Sequence, residues 1–306
     1  MSRKTSGWVI GCGIALGVVI LIVAALVGGG YFFVREIVDE VKELEASSEE
    51  LTAAHGRMAD FCPPPPGDLP AERIETFLDV RRATEPVRAE LGNAFKSVSQ
   101  QIRRAEEDQQ EESVFDVLKI IGDGAGILPG MFKYFKVRNQ ALLDYGMGRG
   151  EYAYLYMIIY YSWLGYSPAD GPPFQMTGGR HRGGGIDWQI DEGSEGKDSP
   201  SPAEVEARRR AQIIRVARDI ALPILRNQMA ALAELPENEA RNLWRQQLAA
   251  EIRYLEEEPD RLPWAEGLPS LMRDALEPFR ESLESSYDRQ INALELMPFQ
   301  ENMHSE

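Results

Sequence analysis

The longest apolar stretch of the chain lies near its N-terminus. No charged residue occurs in residues 5–34, and the apolar core at residues 8–34 would extend about 40 Å as a helix. The hydrocarbon layer of a bilayer is only about 30 Å thick, and backbone polar groups in lipid must find their partners within the segment. Trp8 at one end and the aromatic residues 31–33 at the other match the aromatic belts of a membrane interface. The pattern predicts a single transmembrane helix.

A cleaved signal peptide is the main alternative to this helix. Its apolar core would be only about 7–15 residues long, whereas the run observed here is longer and continues into aromatic residues. The run therefore favours an uncleaved signal anchor. Arg3 and Lys4 precede it, and acidic residues outnumber basic ones directly after it. By the positive-inside rule, the N-terminus is predicted to be cytoplasmic and the C-terminal domain extracytoplasmic, in a single-pass protein of the cell membrane.

Residues in and beyond the anchor follow spacings that are typical of helix association. Within the anchor, the candidates are four glycines that would let two membrane helices approach closely: Gly7, Gly11, Gly13 and Gly17. Glycine is also common in membrane helices that do not associate, so both interpretations stay open. Past the membrane, a three-four spacing continues as the a/d seam of a coiled coil, with the apolar candidates Ile37, Val41, Leu44 and Leu51. Ser48 and His55 weaken the outer half of this seam, and packing on the chain's own bundle is favoured over self-association.

Apolar residues at helical spacing recur through much of the remaining chain. Four prolines at residues 63–66 end the juxtamembrane helix near residue 59. A short helix follows Pro70, and a separate one is predicted to start near Pro86, which would occupy its first turn. Further helical stretches are predicted at residues 114–121 and before Leu143. Residues 151–164 are apolar nearly all round, so they should form the central helix of a bundle.

Residues 165–202 interrupt this pattern with nine glycines and five prolines, and they predict a flexible loop. A capping box at residues 201–204 opens the next helix, which Pro223 is expected to kink. Another helix follows Pro236, and the last one is predicted from about Pro269 to Leu294. No strand and no repeat of fixed period is predicted.

These elements predict an all-α fold in which a single N-terminal transmembrane helix continues into a juxtamembrane helix. A helical bundle interrupted by a long Gly/Pro-rich loop follows. The predicted segments are a short cytoplasmic tip (1–7), the transmembrane helix (8–34), the juxtamembrane amphipathic helix (35–61), a Pro-rich spacer (62–70), a helical segment with a Tyr-rich central helix (71–164), the flexible loop (165–202), a second helical segment (203–297) and a tail (298–306). The two helical segments could form one bundle or two, and one bundle is favoured because each offers few long amphipathic helices.

The overall charge narrows the partners that this architecture could bind. The 306 residues carry a net charge of −16, with a pI of about 4.8. Such a balance repels phosphate backbones and anionic lipid surfaces, so nucleic acid is not expected as a partner. Only Cys12, within the anchor, and Cys62 occur, which excludes a disulfide-stapled fold and makes Cys62 a lone thiol or a bridge between two copies.

No group of residues forms a catalytic, cofactor or metal motif. His181 lies in a glycine-rich basic stretch that lacks the lysine and hydroxyl residue of a phosphate loop. His304 follows Glu301 at the Glu-x-x-His spacing, but di-iron bundles need two such pairs. Runs of carboxylates such as residues 256–258 are typical of solvated helix faces. No catalytic residue, cofactor or metal is therefore predicted.

One face of the most apolar helix combines aromatic rings with polar groups. It carries Tyr152, Tyr156, Tyr160 and Trp163. These side chains could line a pocket for an apolar or aromatic ligand. They could equally form a core in which each hydroxyl finds a neighbour, with Arg138 and Asp144 as possible partners, and this second interpretation is favoured.

The sequence thus favours a non-enzymatic protein-interaction or scaffold module of the cell envelope. Its expected partners are the membrane, which it crosses once, and either another protein or a second copy. A ligand-binding or sensory domain with a Tyr/Trp-lined pocket is the alternative. An enzyme with a scattered carboxylate site is the second alternative.

Overall fold

The computed structural model describes residues 31–65, 67–107, 127–171, 174–177, 187–190 and 202–297. All but the last four residues of the predicted transmembrane helix lie outside these ranges, as do Gly7, Gly11, Gly13 and Gly17 and the predicted helix at residues 114–121. None of the helices within these ranges is both long enough and apolar enough to cross a membrane.

The described chain is a helical bundle, as predicted, with one added β-hairpin. In chain order it contains α1 (Tyr31–His55), a 3-10 turn (Met58–Asp60), α2 (Ala71–Glu107), α3 (Ile127–Asp144), α4 (Arg149–Tyr156) continuing as a π-helix (Met157–Trp163), β1 (Phe174–Thr177), β2 (Asp187–Ile190), α5 (Pro202–Ala233), α6 (Glu239–Glu257), α7 (Ser270–Leu276), a 3-10 turn (Glu277–Phe279), α8 (Arg280–Ser286) and α9 (Asn292–Glu295).

Helix α1, which sequence predicts as a juxtamembrane helix, ends earlier than predicted. Its last residue is His55, and Gly56 follows in the left-handed conformation with φ +80°. Glycine adopts this conformation without steric cost and commonly ends helices. The Asp60 carboxylate then accepts hydrogen bonds from the main chain and the side chain of Arg57, which closes the 3-10 turn. A glycine, rather than the prolines at residues 63–66, therefore ends this helix.

The predicted break near Pro86 is wrong, because α2 runs through this residue. Proline has no N–H group, so the helix loses the hydrogen bond from residue 86 to the Arg82 carbonyl but is not ended by that loss. The Thr84 hydroxyl lies 3.0 Å from the carbonyl oxygen of Val80 and 3.1 Å from that of Arg81. Arg88 donates to the same Arg81 carbonyl at 2.9 Å. Side chains thus add hydrogen bonds to two carbonyls of the turn before Pro86, next to the Arg82 carbonyl that the proline leaves without its helical donor.

Two further predictions about secondary structure need correction. Residues 165–202 contain an antiparallel hairpin, with Phe174 opposite Ile190 and Thr177 opposite Asp187. The final helix is also not continuous: it is divided into α7, α8 and α9, with a non-helical connection at residues 287–291. Alternation over four residues is too short to stand out in a glycine-rich stretch, which explains the missed strands.

One hydrophobic core joins the two helical halves of the chain. It includes Phe77 and Tyr156 from the first half and Ile224, Leu248 and Met272 from the second. Apolar burial is the main favourable contribution to folding, so a shared core ties both halves into one folding unit. The long loop therefore connects two parts of a single bundle.

We expect Gly67→Ala to destabilise this bundle by about 3 kcal/mol. Gly67 has φ +90°, and a Cβ atom there would lie 2.1 Å from Cζ2 of the buried Trp244 ring. The cost combines left-handed strain with overpacking against a buried ring that is stacked on Trp264. Chemical denaturation of the full chain in detergent would measure it.

Gly267→Ala is the matched control for this prediction. Gly267 also has a positive φ, +106°, but a Cβ atom there would meet nothing within 4 Å. It should show the strain alone, so its loss of stability should be clearly smaller. Equal losses in the two variants would contradict the assigned role of the Trp244 contact.

Candidate functional site

A fully buried ion pair lies at the centre of the bundle. Arg81 of α2 and Glu295 of α9 are 214 residues apart in sequence, and both side chains have no exposed surface. Arg81 Nη1 donates to Glu295 Oε1 and, at 3.0 Å, to the Tyr152 hydroxyl. Its Nη2 donates to the main-chain carbonyl of Ser286. A buried charge needs this degree of pairing to be tolerated.

The second carboxylate oxygen of Glu295 accepts two phenol hydrogen bonds. The hydroxyls of Tyr134 and Tyr152 donate to Oε2 at 2.6 and 2.7 Å. Burial raises the pKa of both phenols, and the nearby Glu295 charge raises it further, so both remain neutral donors. The carboxylate therefore has a donor on each oxygen.

Glu295 stays ionised in spite of its burial. Desolvation by itself would raise the pKa of Glu295, but the positive charges of Arg81 and Arg88 lower it. The hydrogen bonds from Tyr134 and Tyr152 lower it further, and the resulting pKa lies below the ordinary value. The Glu295 side chain is therefore negatively charged at neutral pH.

Two more buried arginines bind main-chain carbonyls, Arg88 at the end of α8 and Arg138 at the end of α9. Arg88 Nη1 donates to the Ser286 carbonyl at 2.9 Å. Arg138 donates to the carbonyls of Leu294, Glu295 and Met297 at 3.1–3.2 Å. Carbonyls at the end of a helix lack helical partners, and an arginine there satisfies them and the local dipole together.

Asn292 is the second polar centre of the site. Its Oδ1 accepts from the hydroxyls of Tyr156 and Tyr161 at 2.9 and 3.0 Å. Its Nδ2 donates into a set of carbonyl oxygens 3.1–3.3 Å away, those of Ser167, Pro168 and Asp170. The partners fix the orientation of the amide, because carbonyls can only accept.

The π-helix explains how Tyr156 and Tyr161 reach the same oxygen atom. Its wider turn forms i→i−5 hydrogen bonds, such as Leu164 N to the Ile159 carbonyl at 2.9 Å. Residues five apart therefore face the same side, whereas in an α-helix they would diverge. We define the buried polar cluster as the side chains of Arg81, Arg88, Tyr134, Arg138, Tyr152, Tyr156, Tyr161, Asn292 and Glu295.

The structure brings three of the four pocket candidates together. Tyr152, Tyr156 and Tyr160 are buried, with ring centroids 6.3 and 4.6 Å apart along the face, and the Arg81 guanidinium lies 5.4 Å from the Tyr156 ring. Trp163 lies at the edge of the core that contains them. It is half-buried, with the Arg280 guanidinium 4.3 Å above its ring.

The partners of these phenols differ from those suggested by sequence. Asp144 accepts from Gln140 instead, and Arg138 binds carbonyls. Sequence analysis missed Glu295, Asn292 and Tyr161 altogether. The one available signal was Arg81, a charged residue within the apolar stripe of α2.

The apolar seam of α1 faces the chain's own bundle at two of its four candidate positions. Leu44 and Leu51 are fully buried, Val41 is half-buried, and the side chain of Ile37 lies outside the described part. Arg149 of α4 donates to the Ser48 carbonyl at 2.8 Å. These contacts attach α1 to α3 and α4.

The members of the buried polar cluster come from distant parts of the chain, so no local sequence motif specifies their arrangement. Within the described ranges, no group of three or more histidine, cysteine or acidic side chains is placed to hold a metal ion. In comparisons with protein-family models, curated proteins and solved structures, no significant match was found.

Proposed function

We propose that the chain is a non-enzymatic protein-interaction or scaffold module of the cell envelope. In this proposal, residues 8–34 anchor it in the membrane and the helical bundle lies outside. The observation that carries the proposal is that the buried polar side chains form their hydrogen bonds with other parts of the protein. The polar atoms of Glu295 and Asn292 all have protein partners, so these side chains join structural elements. Among the described residues, the unpaired polar atoms of the cluster are the Nε atoms of its three arginines, each of which binds other protein groups through its Nη atoms.

The charge of the chain supports a partner with a basic surface. The net charge is −16, and acidic side chains such as Glu266, Glu237 and Asp219 are largely exposed. Complementary charge accelerates association and selects among partners, more than it adds affinity. A basic protein surface is the chemistry that this domain fits.

The two alternatives have less support from the described residues. A ligand between the tyrosines would have to replace hydroxyl contacts that the protein already makes. For an enzyme, several carboxylates with a raised pKa should share one cleft. Burial raises the pKa of Glu251 and of Asp288, but Glu251 lies beside Trp264 and Asp288 lies beside Arg88.

Extraction of the native complex in mild detergent tests the proposal. We expect an assembly heavier than a monomer or dimer that contains a second, basic protein. We also expect it to dissociate as the salt concentration rises from about 0.1 to 1 M, because screening shortens the range of surface charges. Extraction of only monomers or homodimers would contradict the scaffold role.

A further inference from the structure

Residues 291–297, called the α9 segment below, occupy a groove in the bundle like a bound peptide. The segment contains only the four-residue helix α9. All its residues except Ala293 are buried. Among the described residues, no main-chain to main-chain hydrogen bond links it to the rest of the bundle. Side chains of other elements therefore hold it.

The groove binds the α9 segment through an ion pair, hydrogen bonds and apolar contacts. Glu295 meets a guanidinium and two phenols, and Asn292 meets two phenol donors and three carbonyl acceptors. Arg138 donates to the main-chain carbonyls of Leu294, Glu295 and Met297. Ile291, Leu294 and Met297 enter an apolar cluster with Leu44 of α1. The groove thus matches the charge, the hydrogen-bonding groups and the apolar side chains of the α9 segment.

The connection that leads into the groove has no helix of its own. Residues 287–290 cross α2 at Gly92, where a Cβ atom would lie 3.3 Å from Gln290 Cβ. In cis, the connection is held by contacts of Tyr287 and Arg289 with Asp170. An extended chain of four residues spans about 13 Å, so once these contacts are released the connection can direct the segment to a neighbour without unfolding α8.

We propose that the α9 segment is exchanged between two copies of this chain. The groove that holds the segment in cis also accepts the same segment of a second copy, so that each copy completes the buried polar cluster of the other. Exchange preserves every contact of the groove, which makes it a low-cost route to a dimer. Confinement of copies by the predicted membrane anchor would raise their effective concentration. The exchange does not depend on the proposed scaffold role.

A pair of complementary variants tests the exchange. Arg81→Gln damages only the groove, and Glu295→Gln damages only the segment. In either variant alone, every groove contains an unpaired buried charge. In an exchanged heterodimer, one groove has the native Arg81–Glu295 pair and the other has two neutral glutamines.

The full-length variants would be given different mass tags, mixed in detergent and analysed by native mass spectrometry and thermal unfolding. In an equal mixture, we expect the ratio of heterodimers to homodimers to exceed its statistical value by more than about tenfold, because only heterodimers lack unpaired buried charges. We also expect the mixture to unfold at a higher temperature than either variant alone. The exposed pair Arg280→Gln and Glu284→Gln is the control, since its loss should create no preference.

A mixture that stays monomeric, or that forms heterodimers only in the proportion of the control pair, would overturn the proposal. Where a single variant does not fold, co-expression takes the place of mixing. Recovery of a folded heterodimer then supports the exchange, and failure to recover one overturns it.

Discussion

Replacement of Glu295 by glutamine is expected to lower the free energy of unfolding by about 3–5 kcal/mol. Glutamine keeps the size of the side chain but removes the negative charge, which leaves the Arg81 guanidinium buried without its counter-charge. The Tyr134 and Tyr152 hydroxyls also lose a charged acceptor. Chemical denaturation at neutral pH would measure the loss.

The control and the pH dependence make this prediction specific. Glu284→Gln removes an exposed carboxylate and should change stability little. The pKa of Glu295 is lowered by folding, so its contribution is complete above its ordinary pKa of 4.5 and disappears as the pH falls through the lower folded-state value. The difference between wild type and Glu295→Gln should therefore shrink below about pH 4.5. A constant difference across that range would contradict the assignment.

Asn292→Leu, as a separate single variant, is expected to lower the free energy of unfolding by about 2–5 kcal/mol. Leucine has a similar volume but leaves the Tyr156 and Tyr161 hydroxyls without an acceptor in the protein interior. Each buried donor left unpaired costs about 1–3 kcal/mol. Denaturation of the full chain, compared with wild type, would give the value.

Removal of the two hydroxyls that Asn292→Leu leaves without an acceptor should restore part of the lost stability. In the triple variant Asn292→Leu, Tyr156→Phe and Tyr161→Phe, both sides of the interaction are apolar, and such paired replacements can be nearly neutral. The triple variant should therefore be more stable than Asn292→Leu alone. If the two phenylalanines only added to the loss, Asn292 would not be the acceptor that holds these hydroxyls.

The presence of most helices could be predicted from sequence, but not their ends. Apolar spacing is a local property, and it located α6, which buries one face, and α4, which is apolar nearly all round. The ends depend on single residues and on tertiary contacts. Gly56 ended α1 early, whereas the surroundings of Pro86 allowed α2 to continue. The interruption at residues 287–291 had no signal in the apolar spacing.

The candidate site was much less predictable than the fold. Sequence analysis placed Tyr152, Tyr156 and Tyr160 on one buried face, because a four-residue spacing marks one side of an α-helix. It could not place Tyr161 there, since that depends on the π-helix. The pairing of Arg81 with Glu295 depends on the complete tertiary fold, and no local pattern encodes a contact across 214 residues.

That separation also determines when the protein can finish folding during its synthesis. At about 5–20 residues per second, Glu295 is made roughly 10–40 s after Arg81. During this interval, the buried arginines lack the carboxylate and the carbonyls that α9 supplies. The emerging first half therefore cannot complete its polar interior until residue 295 has been made, and folding of the bundle has to finish late in synthesis.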